Sequence, residues 1–237
     1  MKTLGLLEVD QLDDDLRERY GSYGRMFAHF FDRLGASLTY RYYQVQQGTL
    51  PRRPEECDAY LITGSRAGVY DDLPWLPLLR DWIIAFNRHK ARLIGVCFGH
   101  QMLAHSLGGY AAKSEKGWGV GIKTAQFLSA DGRHTPAVRF RLLYSHQDQV
   151  QSLPAGGRIL ASNDFCPIAA FALEQHVLGF QGHPEFTIDY LEQLLLRRRE
   201  QIGPACYRDA LTSLTQATDE VMIGRKIVAF IDGVADF

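Results

Sequence analysis

Cys97 stands in the run Ile94-Gly95-Val96-Cys97-Phe98-Gly99-His100-Gln101, with a glycine on either side at a spacing of two. The apolar residues before it predict a buried strand, and His100 onward predicts a helix. A cysteine at the sharp turn between them is the nucleophile-elbow pattern with Cys in place of Ser. Such a turn strains the nucleophile's backbone, and small flanking residues let strand and helix approach closely. The Phe98 N–H then points to where an oxyanion would form. A thiol attacks only as thiolate, which a helix N-terminus and a neighbouring imidazole both favour. Of the eight histidines, His183 is the candidate base. It follows an apolar strand, Val177 to Gln181, and precedes Pro184 and Glu185. The proline fixes the backbone, so the Glu185 carboxylate can select the imidazole tautomer and stabilise the imidazolium. His100 lies on the elbow helix and is expected to point inward. His29, His89, His105 and His134 have neighbours that suggest only surface or core roles.

The elements needed to hold these residues are legible in the pattern. Thr3 to Val9, Leu38 to Val45, Asp58 to Thr63 and Arg92 to Val96 predict strands. Asp10 to Asp15 reads as an acidic loop and Arg66 to Leu73 as another loop. Ser22 opens a helix to Leu34, stopped by Gly35, and Leu76 to His89 is an amphipathic helix with Pro77 in its first turn. This β-α-β-β-α-β-α order argues for an α/β fold, a central mostly parallel sheet with helices on both faces. After Tyr110 the short runs Gly117 to Ile122, Val138 to Tyr144, Arg158 to Ser162 and Ile168 to Leu173 predict a partly antiparallel extension of the same sheet. Phe186 to Glu200 reads as one long helix, with further helices over Tyr207 to Ala217 and Glu220 to Ile231. No repeat, low-complexity segment or linker interrupts the chain, so residues 1–237 are expected to form a single domain.

Composition narrows the function. The chain has 237 residues, 46% of them apolar, and a formal net charge of −1, so nothing global points to nucleic acid. The basic run Arg197-Arg198-Arg199 reads as a solvated helix face. The apolar start, Met1 to Leu7, is too short for a signal peptide or a membrane span. Cys57, Cys97, Cys166 and Cys206 are dispersed with no zinc-like spacing, so no metal is expected. Without a secretion signal the expected compartment is the cytoplasm.

The motif Gly95-Val96-Cys97-Phe98-Gly99-His100-Gln101, paired with Gln181-Gly182-His183-Pro184-Glu185, resembles the class I glutamine amidotransferases. The resemblance implies a Cys-His-Glu triad at Cys97, His183 and Glu185. It implies attack on the side-chain amide of glutamine, a γ-glutamyl thioester and release of ammonia, with no cofactor. It places the oxyanion donors at the Ser65 and Phe98 backbone, the former in Thr63-Gly64-Ser65-Arg66, where the family commonly has Ser-Gly-Gly-Pro or Ser-Asn-Gly-Pro. Substrate contacts fall on Gly64, on Gln101, and on Ser145, His146 and Gln147 in a stretch similar to the Ser-His-x-Asp-x-Val of the GMP-synthetase branch. Gly21 to Phe27 and the Gln-Gly-His-Pro-Glu-Phe ending resemble the stand-alone, GMP-synthetase-like members and the plant γ-glutamyl peptidases. Gly182, expected to be exposed, stands where many synthetase-linked members have Phe or Trp.

No P-loop or Ser-Gly-Gly-x-Asp-Ser signature occurs, so any synthetase that takes the ammonia is expected on a separate chain. The expected partner is therefore a small molecule, glutamine or a γ-glutamyl compound. Two alternatives stand beside the glutaminase reading: a free-standing γ-glutamyl peptidase, and a regulatory protein that keeps the fold without catalysis. A redox role for Cys97 is weaker, because it does not call for His183 and Glu185.

Overall fold

The computed structural model describes residues 1–128 and 134–234. Its strands are β1 (Lys2–Glu8), β2 (Leu38–Gln44), β3 (Ala59–Ile62), β4 (Arg92–Val96), β5 (Tyr110–Lys113), β6 (Gly119–Leu128), β7 (His134–His146), β8 (Asp148–Ser152), β9 (Gly157–Ser162), β10 (Ala170–Leu173) and β11 (Val177–Phe180). Among the described residues they form a nine-stranded sheet in the order β2-β1-β3-β4-β11-β10-β9-β6-β7, and β5 pairs with β8 in a small second sheet. The half from β2 to β11 is parallel, and every pairing from β11 to β7 is antiparallel. The mostly parallel sheet with an antiparallel extension is the architecture expected from the pattern.

The helices are α1 (Asp14–Tyr20), α2 (Tyr23–Arg33), α3 (Trp75–Arg88), α4 (Phe98–Ser106), α5 (Ile188–Arg197), α6 (Arg199–Ile202), α7 (Pro204–Ser213) and α8 (Glu220–Asp232). On one face of the sheet, Leu4 and Leu6 of β1 bury against Phe27 and Phe31 of α2 and Ile223 and Ile227 of α8. On the other, Leu7, Tyr60, Ile62 and Leu93 meet Leu79 and Ile83 of α3 and Met102 and Leu103 of α4. Strands covered on both faces are apolar throughout, which is why β3 and β4 read as continuous runs rather than alternating ones. Among the described residues no helix is long and apolar enough to cross a membrane.

Several boundaries differ from the sequence reading. The acidic loop is shorter than expected, because α1 begins at Asp14 and buries Leu16. The long helix after Glu185 starts only at Ile188, where the Thr187 hydroxyl accepts the Tyr190 N–H at 3.1 Å. It then breaks at Arg198, whose backbone turns to φ −97° and ψ 5° between α5 and α6. The pair β5–β8 leaves the main sheet altogether.

Candidate active site

Cys97, Gly64 and His183 all lie just past the carboxyl ends of neighbouring parallel strands: β4, β3 and β11. That edge of an open α/β sheet is where crevices form. Cys97 sits at φ 54° and ψ −104°, one of three described non-glycine residues with positive φ. Its N–H is anchored to the Phe180 carbonyl of β11 at 2.9 Å, and its own carbonyl accepts the Gln101 N–H at 3.1 Å. The flanking glycines are a steric necessity. A Cβ on Gly95 would lie 2.3 Å from the Gly99 carbonyl, and one on Gly99 would lie 2.2 Å from the Ile62 carbonyl. The strand, the elbow helix and β3 therefore touch backbone to backbone at the turn.

His183 is fixed from two directions. Its N–H donates to the Leu143 carbonyl of β7 at 2.8 Å, and its Nδ1 meets Glu185 Oε1 at 2.7 Å. A carboxylate only accepts, so Nδ1 carries a hydrogen and Nε2 is turned to Cys97, whose sulfur lies within hydrogen-bonding reach. Both side chains of the His183–Glu185 pair are buried. Burial alone would push the imidazole down, but the Glu185 carboxylate and Cys97 outweigh it and lift His183 to about 10. The Phe186 ring stacks on the imidazole at 3.7 Å with 7° between planes, closing its other face.

The chain matches known proteins over most of its length. The family model for class-I glutamine amidotransferases matches residues 16–200. The chain belongs to the class-I glutamine amidotransferase family. Gamma-glutamyl peptidase 2 of Arabidopsis thaliana is 27% identical over 203 residues, 83% of this chain and 81% of that one. A glutamine-hydrolysing GMP synthase of Thermomicrobium roseum is 34% identical over 140 residues, which are 58% of this chain but only 25% of the synthase. In fold, a glutamine amidotransferase from Thermotoga maritima superposes with a TM-score of 0.72 at 17% identity, covering 99% of each chain.

In this amidotransferase-family chain a cleft of about 570 Å³ opens in front of Cys97. Ser65, Gln101, Ser145, His146 and Gln147 line it. Gly64 and Ser65 join Cys97 and His183 in a narrow nook at its inner end. Gly64 is the residue that lets His183 approach, since a Cβ there would lie 3.0 Å from the imidazole Cε1. The Phe98 amide opens α4, where no intrahelical acceptor exists for it. Both amide hydrogens of Gln101 are committed, to the Asp148 carbonyl at 2.7 Å and Gln181 Oε1 at 3.1 Å, so only its carbonyl oxygen is left to face the cleft. His146 Nδ1 lies 2.9 Å from the Asp148 carbonyl, and burial pushes its imidazole down to about 4. That ring is neutral at ordinary pH.

Two expectations are corrected here. Gly182 is buried, not exposed: a Cβ at that position would lie 2.8 Å from the Tyr144 ring and 2.9 Å from the Leu142 Cβ. The bulk that many synthetase-linked members carry before His-Pro-Glu has no room in this chain. Nor is the basic run simply a solvated face. Arg198 turns into the cleft and the nook, donating from Nη1 to Ser145 Oγ at 2.9 Å and lying over the Trp118 ring at 5.7 Å. His100, by contrast, is fully buried as expected, against the backbone of Gly179 and Ile168.

Arg198, Trp118, Phe186 and Tyr23 were not singled out as site residues. The helix break that aims Arg198 inward leaves no mark in the Arg-Arg-Arg run. Phe186 and Tyr23 sit inside motifs that carry the family resemblance, and that was the available signal.

Proposed function

We propose that the chain is an amidohydrolase that cleaves γ-glutamyl amides through a thioester on Cys97, acting on glutamine with release of ammonia. The observation that carries this reading is a cysteine strained at a strand–helix elbow, beside an imidazole that a buried carboxylate holds in one tautomer. The Cys97 proton rests on His183 Nε2, as the raised imidazole requires, and the thiolate sulfur attacks the amide carbon. The oxygen takes up negative charge between the Phe98 and Ser65 amides. His183 returns the proton to the leaving nitrogen as the C–N bond breaks, and the γ-glutamyl thioester remains. Water, deprotonated by His183, then attacks the thioester, and glutamate leaves as the thiol is restored. Glu185 stays ionised and orients the imidazole throughout. Gly64, Gln101 and the Ser145–Gln147 segment hold the glutamyl end. If the ammonia is used in synthesis, the acceptor enzyme is a separate chain. Cys97, Gly64 and His183 all follow strands of one sheet, and we propose that residues 1–237 act as one domain.

A second reading is a peptidase that cleaves γ-glutamyl bonds to other amines. The breadth of the cleft favours it, because about 570 Å³ falls in the range that takes drug-sized ligands. The extent of the match to gamma-glutamyl peptidase 2 favours it as well. The purified protein, supplied in parallel with glutamine and a panel of γ-glutamyl peptides, tests both. Turnover that Cys97→Ala abolishes is expected. Turnover surviving in Cys97→Ala would sink the mechanism, and fast peptide cleavage with negligible glutaminase activity would select the second reading.

A further inference from the structure

Charged side chains line the cleft, and most have a partner of opposite sign. Arg66 pairs with Asp10 and Asp13, Arg197 with Asp13 and Asp15, and Lys113 faces Asp148. Arg198 differs. Among the described residues no carboxylate meets it, and its contacts are the Ser145 hydroxyl at 2.9 Å, the Ser145 carbonyl at 3.4 Å and the Trp118 ring at 5.7 Å. The two hydrogen bonds come from one nitrogen, Nη1. The guanidinium carries five donors, so most of its fork remains for a ligand. Fixed by Ser145 and laid on an indole, it has lost the freedom that makes a surface arginine a poor anion receptor.

Its position tells which end of a substrate it faces. Gln101, Gln147 and Asp148 line the wide cleft but not the inner nook. Cys97, His183 and Arg198 share the nook with Gly64, Ser65 and Ser145, and Arg198, like Ser145, also borders the wide cleft. His183 must protonate the leaving nitrogen, so that nitrogen lies on the His183 side. Whatever is attached to it leaves the nook past Arg198. The nook itself has room for about 10 Å³, too little for a bulky substituent. A group matched to Arg198 must therefore be anionic, planar and close to the scissile nitrogen. The carboxylate of an α-amino acid meets these conditions, two bonds from that nitrogen, and presents two oxygens to the guanidinium fork.

Resting on the amidohydrolase reading, we infer that Arg198 is a specificity-determining residue that binds the α-carboxylate of an amino-acid leaving group. The substrate class is then γ-glutamyl α-amino acids, and the amine released is a free amino acid. Glutamine, whose leaving group is ammonia, leaves this cation without its ligand.

The test is the ratio of kcat/KM for γ-glutamylglycine to that for γ-glutamylglycinamide, which lacks the carboxylate charge. In the native protein a charge-assisted fork predicts a preference of about 10- to 100-fold for the acid. In Arg198→Gln the ratio should fall to within about threefold of one. In Arg198→Lys it should be intermediate, because the charge stays and the fork is lost. The ratio is internal to each variant, so a partly unfolded preparation does not distort it. A native ratio near one would overturn the inference while leaving the amidohydrolase reading intact. So would an Arg198→Gln variant that slows both substrates equally, which would assign the arginine to the shared glutamyl end. Failure of the native protein to turn over any γ-glutamyl compound would remove the parent reading and this inference with it.

Discussion

The Nδ1–Oε1 contact between His183 and Glu185 decides which nitrogen faces Cys97, and it also sets the charge of the ring. Burial works against an imidazolium here, and it is the carboxylate and the thiol that reverse the sign. Glu185→Gln keeps the shape and removes the charge. The His183 titration, followed by NMR, should then drop below about 10, because burial is opposed by Cys97 alone. Turnover should fall by about 10²- to 10⁴-fold, as expected when a base loses its orienting carboxylate. An unchanged titration with unchanged turnover would dismiss the assigned role. Gly64 makes a different demand, steric rather than electrostatic. In Gly64→Ala the new methyl would lie 3.0 Å from the imidazole Cε1, so the ring must give way. A displacement of a few tenths of an ångström at the base predicts a loss of about 10-fold in kcat with little change in melting temperature. Full activity in Gly64→Ala would show that the ring has slack.

In the proposed mechanism the loop after β3 has to hold the Ser65 amide still without the proline common in the family. Arg66 does this through Asp10. Its backbone N–H and Nε both donate to Asp10 Oδ2, at 2.8 and 3.1 Å, and Nη2 reaches Asp10 Oδ1 at 3.2 Å. Asp10 is 7% exposed although the Arg66 side chain is 54% exposed, so the carboxylate is shielded and what sets the pair apart from a simple surface one is its several bonds to one carboxylate. Asp10→Ala should loosen the loop and lower kcat by about 10-fold, with KM changing far less, because oxyanion contacts strengthen only in the transition state. Equal effects on kcat and KM would argue against a role at the oxyanion. None of this was visible beforehand, since Asp10 and Arg66 stand far apart in the chain and each reads as an ordinary loop residue. What was legible were short-range patterns: the elbow between β4 and α4, the apolar run of β11 before His183, and the parallel order of β1 to β4. What was not legible depended on contacts across the chain. The break at Arg198, the pairing of β5 with β8, and the burial of Gly182 under Tyr144 all arise from packing between distant segments, which a periodicity cannot carry.

Across the molecule, the buried histidines pull stability in opposite directions on either side of neutrality. Burial pushes His100 down to about 3 and His146 to about 4, and it lowers His105 and His176 as well. The unfolded chain takes up protons on these rings near their ordinary 6.5 while the native state does not, so stability falls as pH drops from 6.5 toward 4. Asp148, raised by burial, opposes this with a single carboxyl. His183 has the reverse sign. Its folded value is raised, so the stability tied to its charge is complete below 6.5 and is lost as pH climbs through about 10. Each such proton contributes a slope of about 1.4 kcal/mol per pH unit within its window. Raised thiols and phenols add to the alkaline loss only above their ordinary values of 9 and 10, as for Cys166 and Tyr23. Between 6.5 and 9 the loss is tied to His183, opposed by Lys123, whose ammonium burial pushes down. Melting temperatures measured from pH 4 to 9 at constant ionic strength should peak near 6.5 and decline on both flanks. In Glu185→Gln the acid flank should persist and the decline from 6.5 to 9 should flatten. A native melting temperature that rises steadily to pH 9, or a Glu185→Gln variant with the native alkaline slope, would mean that His183 is not held as a cation by its carboxylate.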